Sequence, residues 1–256
     1  MGKIEKISVI ISTYNRFQFL KKAISSVQAQ THKNLEIIVS DDGSTDKTET
    51  IVKNLQKKDE RIIYLKNKHR GLPSATRNRG IEEATGRWIA FLDDDDIFYK
   101  DKLKKQLLVA IQNNFDLVST NANIADRKKT YFPLKTSFVL NFDKLIKDNK
   151  IITSSVLLKK NILNKVVFSE KEKFKAIEDY DLWLKLASLN FNIGYINEPL
   201  IEYKDHPQNS IRKNSISYEK MMKIILKSQL IFNLKKNNIR NLIIILMKYL
   251  KLIFYK

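Results

Sequence analysis

Short apolar runs alternate with longer stretches of helical spacing through the first half of the chain. ISVIIST (7–13) reads as a buried strand, and Phe19, Ala23, Ile24 and Val27 recur at helical intervals within 15–30. LEIIVSDD (35–42) is a second strand. Residues 45–57 follow as a polar helix opened by Ser44, Thr45 or Asp46 as a cap. RIIYLKN (61–67) is a third strand, 74–85 a helix and RWIAFLDD (87–94) a fourth strand. A helix with Leu103, Leu107, Leu108 and Ile111 on one face comes next, then a strand in FDLVSTNAN (115–123). Near-continuous apolar strands separated by helices predict an α/β fold, its mostly parallel sheet covered by helices on both faces.

The second half is less regular. YFPLK suggests a turn and a short helix follows it within 124–150. ITSSVLLKK (151–159) reads as a strand, and IEDYDLWLKLASLN (177–190) as a helix with Leu182, Leu186 and Leu189 facing inward. NIGYINEPLIEY (192–203) is a strand or hairpin. Two further helices are expected over about 215–234 and 238–255. No internal repeat interrupts this order.

Parallel sheets of this type bind ligands beyond the carboxyl ends of their strands, and the polar clusters sit there. STYNR (12–16) follows the first strand, DDGSTD (41–46) the second and DDDD (93–96) the fourth, so the three are expected to share one crevice. In an extended segment Asp93 and Asp95 point one way and Asp94 and Asp96 the other. Two carboxylates on one side suit Mg²⁺ or Mn²⁺, which relieves their repulsion and can bridge a diphosphate. Asp96 and Asp101 fit a turn or a helix cap instead. Tyr14 offers a flat face for a base, with Ser12 and Thr13 supplying hydroxyl or backbone bonds, or it packs the helix on the sheet. Asp41 could accept from a base N–H, and Gly43 permits a tight turn. No glycine follows the first strand, which excludes a dinucleotide fingerprint, and no P-loop motif occurs. An aspartyl-nucleophile phosphatase would carry Asp-x-Asp on its first strand with Thr close behind; here the motif follows the fourth strand and no Thr follows.

Charge sharpens the contrast. The 256 residues carry a formal net charge of +19 with 43% hydrophobic content, enough for a real core. Absence of cysteine removes disulfides and thiolate metal sites and agrees with a reducing cytoplasm. The start, MGKIEKISVIIST, has too short an apolar run for a signal peptide, and position 6 lacks the Ser or Thr of a myristoylation motif. No run approaches the roughly 18 apolar residues of a membrane span. The Lys, Asn and Ile bias is also what an AT-rich genome produces. From Lys204 onward twelve Lys or Arg face only Asp205 and Glu219. Residues 211–256 therefore read as a basic helical extension that meets an anionic membrane or packs on the main domain.

Taken in order, SVIISTYNR, EIIVSDDGSTD, ATRNRGIEEATGRWIAFLDDDD and IEDYDLWLKLA resemble the inverting family 2 glycosyltransferases of the GT-A fold over about residues 7–210. The resemblance implies a GT-A domain over 1–210, with 1–123 binding the nucleotide-sugar and 124–210 the acceptor. It implies that Ser12, Thr13, Tyr14 and Asp41 form the base and ribose pocket. Asp93 corresponds to the first acid of Asp-x-Asp near the ribose, with Asp94 adjacent, and Asp95 to the metal-binding acid. Arg77 matches a basic position beside the nucleotide. Ser12 stands where many members have Pro. His206 matches a histidine that ligates the metal or meets the diphosphate. Glu178 and Asp179 match the family's Glu-Asp pair, whose carboxylate takes the proton of the attacking hydroxyl. Asp179 is the expected base, Glu178 the second candidate, and Asp181 structural. Neither His32 nor His69 matches a family position, and Trp88 and Trp183 read as core or acceptor-side packing.

The expected activity is transfer from a nucleotide-sugar, with UDP favoured, to a hydroxyl of a growing surface glycan on a lipid carrier, assisted by Mg²⁺ or Mn²⁺. The expected location is cytoplasmic, with peripheral contact at the inner face of the membrane through 211–256. A charge-driven nucleic-acid module is the main alternative, but the acids clustered at the ends of the second and fourth strands would repel nucleic acid. A non-catalytic sugar-nucleotide-binding subunit is the other, and the intact Asp-x-Asp and Glu-Asp pairs argue against it.

Overall fold

A computed structural model describes residues 5–125, 127, 129–133, 136–204 and 217–254. Strand β1 (Ile7–Thr13) lies at the centre of a parallel set, between β2 (Leu35–Asp41) and β4 (Trp88–Asp93), and β3 (Ile62–Lys66) flanks β2. Strands β1, β2 and β4 are buried on both faces because α1 (Phe17–Gln28), α2 (Thr48–Gln56) and α3 (Pro73–Glu83) cover the sheet, which is why their sequences do not alternate. Chain order runs outward from β1 to β3, then returns to the other side of β1 as β4. The carboxyl ends of β1 and β4 thus flank a topological switch point, where open α/β sheets bind ligands.

Beyond β4 the sheet becomes mixed. β8 (Leu157–Lys159) runs antiparallel between β4 and β6 (Leu117–Ile124), and the long β9 (Ile193–Tyr203) pairs parallel with β6. Two short strands, β5 (Ile97–Phe98) and β7 (Phe138–Leu140), pair antiparallel with β9. The expected strand over 151–159 is confined to its last three residues, because Thr153–Ser155 form a 3₁₀ turn. With α4 (Lys102–Gln112), α5 (Phe142–Leu145) and α6 (Glu178–Ser188), this is the GT-A arrangement with helices on both faces.

Helix α4 buries only half of the face its apolar spacing suggests. Leu108 and Ile111 are exposed, whereas Leu103, Leu107 and Ala110 are buried alongside Lys102 and Gln106. Gln106 sets this orientation: its amide donates to the Val118 and Ser155 carbonyls at 2.8 Å each.

Two helices follow β9, α7 (Tyr218–Lys235) and α8 (Ile239–Phe254). Helix α7 packs on α6 through apolar contacts and a polar lock. Gln229 donates to the Asp181 backbone carbonyl and carboxylate, and Asn233 to the Ser188 hydroxyl. These are buried polar groups satisfied in part across this docking. Among the described residues no helix is long and apolar enough to cross a membrane.

Candidate active site

The three strand ends and the start of α6 open onto one cleft of about 950 Å³. Ser12, Thr13, Tyr14, Arg77, Asp93, Asp94, Asp95, Glu178 and Asp179 all line it. Asp41 does not. It is the last ladder residue of β2, fully buried, and its carboxylate accepts from the Ser44 backbone and hydroxyl and from the Tyr64 hydroxyl. The next residue, Asp42, lines the cleft instead. His206 lies outside the described residues.

Strand register sets the first contacts. Ser12 stands opposite Asp93 in the β1–β4 ladder, and the Ser12 hydroxyl donates to Asp93 at 3.4 Å. One residue on, Thr13 donates to Asp94 at 2.7 Å. The chain then turns rather than continuing extended: the Asp96 N–H donates to the Asp93 carbonyl at 3.1 Å. This turn breaks the expected alternation of the four acids. Asp93, Asp94 and Asp95 face the cleft together, and Asp96 points into the protein, where it is 1% exposed. Nor does Asp96 sit at a solvated turn. It accepts the Lys204 N–H at 2.9 Å, and burial raises its pKa well above the carboxylate range. Burial likewise pushes Asp94 up to about 7. Asp101 does occupy the N-cap position of α4, but its carboxylate accepts from Thr31 rather than capping the helix.

Two arginines knit these acids to the rest of the site. Arg16, at the start of α1, donates to Asp94 at 3.0 Å and to Asp95 at 2.7 Å. Arg77 reaches the cleft from α3, which approaches β1 so closely that a Cβ on Gly80 would lie 2.5 Å from Ile10. Its guanidinium is buried and forks between Asp93 at 2.7 Å and Glu178 at 2.9 Å, tying β4 to α6. Burial opposes the charge on Arg77, but Asp93 and Glu178 more than offset it and hold its pKa above the ordinary value. Burial, together with neighbouring Asp179, raises the pKa of Glu178 despite Arg77. Asp179 accepts from the Thr153 hydroxyl at 3.1 Å, so the two neighbouring carboxylates have different partners.

At the other end of the cleft Tyr14 stacks on His69, with centroids 4.2 Å apart and rings inclined by 18°. His69 meets Asp42 at 2.9 Å. Asn15 holds this end in shape. It takes a left-handed conformation (φ 52°) and accepts from the Thr45 N–H at 2.8 Å, bridging the loops after β1 and β2. Gly43 is required in the second loop: its φ is +82°, and a Cβ there would lie 2.9 Å from the Asn67 carbonyl.

Sequence reasoning passes over Arg16, Asp42 and His69, all of which line the cleft. The repeated acid before Gly43 is a sequence signal for Asp42. Arg16 and His69 carry none, because their partners come from other strand ends. The rest of the wall adds Tyr131, Phe132 and Tyr203, with Tyr218, Met221 and Met222 from α7.

The model of the family described as "Glycosyl transferase family 2" matches residues 8–168, from the second residue of β1 through β8, including the acids at 93–95. The chain belongs to glycosyl transferase family 2. Within that family, an uncharacterized glycosyltransferase of Rickettsia felis is 40% identical over 198 residues, covering 76% of this chain and 32% of the relative. The chain thus spans about a third of the length of that relative and its Rickettsia conorii and Rickettsia bellii counterparts. The Escherichia coli UDP-Glc:alpha-D-GlcNAc-diphosphoundecaprenol beta-1,3-glucosyltransferase WfgD is 35% identical over 191 residues, covering 75% of this chain and 73% of WfgD. Among solved structures, S. aureus TarS 1-349 in complex with UDP-GlcNAc superposes with a TM-score of 0.73 at 22% identity. It covers 88% of this chain and 66% of that one, a likeness of fold.

Proposed function

We propose that this member of glycosyl transferase family 2 moves a sugar from a UDP-sugar to a hydroxyl of a growing lipid-linked glycan, with inversion at the anomeric carbon. One observation carries the reading. A single cleft has an aromatic stack at one end, three acids at its centre and a pair of carboxylates at the start of α6. A nucleoside diphosphate joined to a sugar needs those three features in that order. The names of WfgD and of the TarS complex, one a UDP-Glc transferase acting on a diphosphoundecaprenol-linked sugar and the other holding UDP-GlcNAc, support these donor and acceptor classes.

In this reading Tyr14 stacks on the base beside His69, and Ser12 and Thr13 flank the ribose and diphosphate. Asp41 acts from behind the wall by holding the Ser44 loop, and Asp42 is the acid within reach of the base. Asp93 and Asp94 face the nucleotide. The donor half is 1–123, the acceptor half 124–210, and 211–256 the extension.

Among the described residues no three His, Asp or Glu side chains gather as a ready-made metal cluster. Asp93 and Asp95 nevertheless fit Mg²⁺ or Mn²⁺. Both line the cleft, both are hard oxygen donors, and such ions at diphosphate sites take one or two carboxylates and complete their shell with phosphate and water. Asp95 would be the main ligand, with His206 a further one. When bound, the ion would stabilise negative charge on the departing diphosphate.

Asp179 is the proposed general base. Both carboxylates line the cleft, but Glu178 is tied to the buried Arg77 at 2.9 Å, whereas Asp179 accepts from the Thr153 hydroxyl at 3.1 Å and the Tyr180 N–H at 2.7 Å. As the acceptor oxygen bonds to the anomeric carbon, its proton passes to Asp179, and the bond between that carbon and the phosphate oxygen breaks. Arg77 positions both ends of this arrangement by holding Asp93 and Glu178 at once.

Titration calorimetry tests the reading at the binding step. UDP and UDP-sugars should bind in the presence of Mn²⁺, more weakly to Tyr14→Ala and without metal dependence to Asp95→Ala. Absence of binding by every nucleotide-sugar, with and without metal, would sink it.

A further inference from the structure

Helix α8 wears an apolar stripe on its outer side. Ile239, Ile243, Leu246, Met247 and Leu250 recur at i, i+4, i+7, i+8 and i+11, and each is 49–70% exposed. The opposite side, with Asn241 and Ile245 buried, is the one that packs on the protein, and Asn241 donates to Asn233 of α7 at 3.1 Å. The helix therefore has a core face and a second apolar face. Isolated surface leucines need no explanation, but a row along one helix marks an interaction surface. The turn end of α7 adds exposed Ile231 and Leu234.

Charge says what covers it. Lys251 is exposed and borders the stripe, as does Arg240 with its guanidinium shared with Asp143, and residues 217–254 hold eight Lys or Arg against the single acid Glu219. A second copy of a chain with net charge +19 would bring the same positive charges to the same place. An anionic bilayer answers both halves of the pattern. Apolar side chains enter the acyl boundary while Lys and Arg meet the headgroups, as in helices that lie in the membrane plane.

Position adds a consequence. Lys248 donates to the backbone carbonyls of Ile146 and Lys147, and Arg240 pairs with Asp143. Helix α8 is thereby fastened to the segment that continues into Lys147, Asp148 and Asn149 at the cleft. The other helix of the hairpin gives Tyr218, Met221 and Met222 to the same wall. We infer that the outer face of α8 docks on an anionic lipid surface and holds the acceptor side of the cleft at the membrane. The benefit to catalysis rests on the proposed lipid-linked acceptor; the docking itself requires no turnover.

Flotation with phosphatidylcholine vesicles, with and without phosphatidylglycerol, tests this on the full chain and on an Ile243→Glu/Leu246→Glu/Leu250→Glu variant. All three positions are solvent-facing, so the variant should keep the wild-type circular dichroism and melting temperature. The wild type should float with the anionic vesicles and less with the neutral ones, and the variant's partition should fall roughly a hundredfold. Equal flotation of variant and wild type would overturn the inference. So would a wild type that stays unbound, including one that light scattering shows to be a dimer broken by the variant. Calorimetry with UDP-sugars on the same samples separates the two readings. Nucleotide binding without flotation overturns the docking alone, and flotation without nucleotide binding overturns the proposed activity alone.

Discussion

Arg77→Met isolates the strongest electrostatic link in the site. Methionine keeps an unbranched stem but removes the charge that Glu178 and Asp93 share. Glu178 is only 5% exposed, so its carboxylate would be left buried without a cation. Removing one partner of a buried pair costs about 3–5 kcal/mol. Asp93, with 35% of its side chain exposed, is rehydrated and adds little to that cost. The sign with pH follows from the direction of the shift. Burial already holds the Glu178 pKa above its ordinary value while Arg77 pulls it down, so loss of Arg77 raises it further. A carboxyl whose folded pKa is raised stabilises the fold while protonated and loses that contribution as pH rises from the unfolded value through the folded one. The variant's deficit should therefore be smallest near about pH 5 and grow towards about pH 8. Urea unfolding at both values measures it, and a melting-temperature loss of about 6–20 °C should accompany it near neutrality. Glu178→Gln in the Arg77→Met background should recover most of the loss. A deficit below about 1 kcal/mol at high pH, or no rescue by Glu178→Gln, would refute a buried pair as the link.

Asp179→Asn should lower turnover by about 10²–10⁴-fold while leaving donor binding near wild type, read from initial rates and calorimetry; unchanged turnover would point to another base. Asp96→Asn should be close to neutral for stability near about pH 4 and more stable than the wild type at neutral pH, because it removes the loss that the wild type shows as pH rises, whereas Asp96→Ala should cost about 1–3 kcal/mol at neutral pH. Gly43→Ala should cost about 1–3 kcal/mol and weaken nucleotide binding, because it puts a Cβ against the Asn67 carbonyl at φ +82°.

The parallel half of the sheet is legible in the sequence because β1, β2 and β4 carry near-continuous apolar runs, a pattern that requires cover on both faces. Strands β5 and β7, of two and three residues, are too short to show a period, and they exist only because β9 offers its edge. The half-buried face of α4 escapes hydrophobic spacing for a different reason. A buried glutamine bonded to two backbone carbonyls outweighs two leucine-sized side chains that remain in water. At the cleft, strand ends mark where acids gather but not where each carboxylate points. Asp41 and Asp42 differ by one residue, and the last rung of the ladder turns the first into the core and the second outward. The 93–96 segment departs from strand alternation for the same kind of reason: once the ladder with β1 stops at Asp93, a turn is free to form. The pairing of Arg16 with Asp94 and Asp95, 78 and 79 residues away, depends on that turn and carries no local trace.

The most direct test of the central claim is release of nucleoside diphosphate from a panel of nucleotide-sugars with diphosphopolyprenyl-linked sugar acceptors, each with and without EDTA. The account predicts acceptor-dependent release from at least one UDP-sugar, abolished by EDTA and by Asp95→Ala and retained in Asp96→Asn. Absence of release with every donor and acceptor, or release that Asp95→Ala leaves intact, would contradict it.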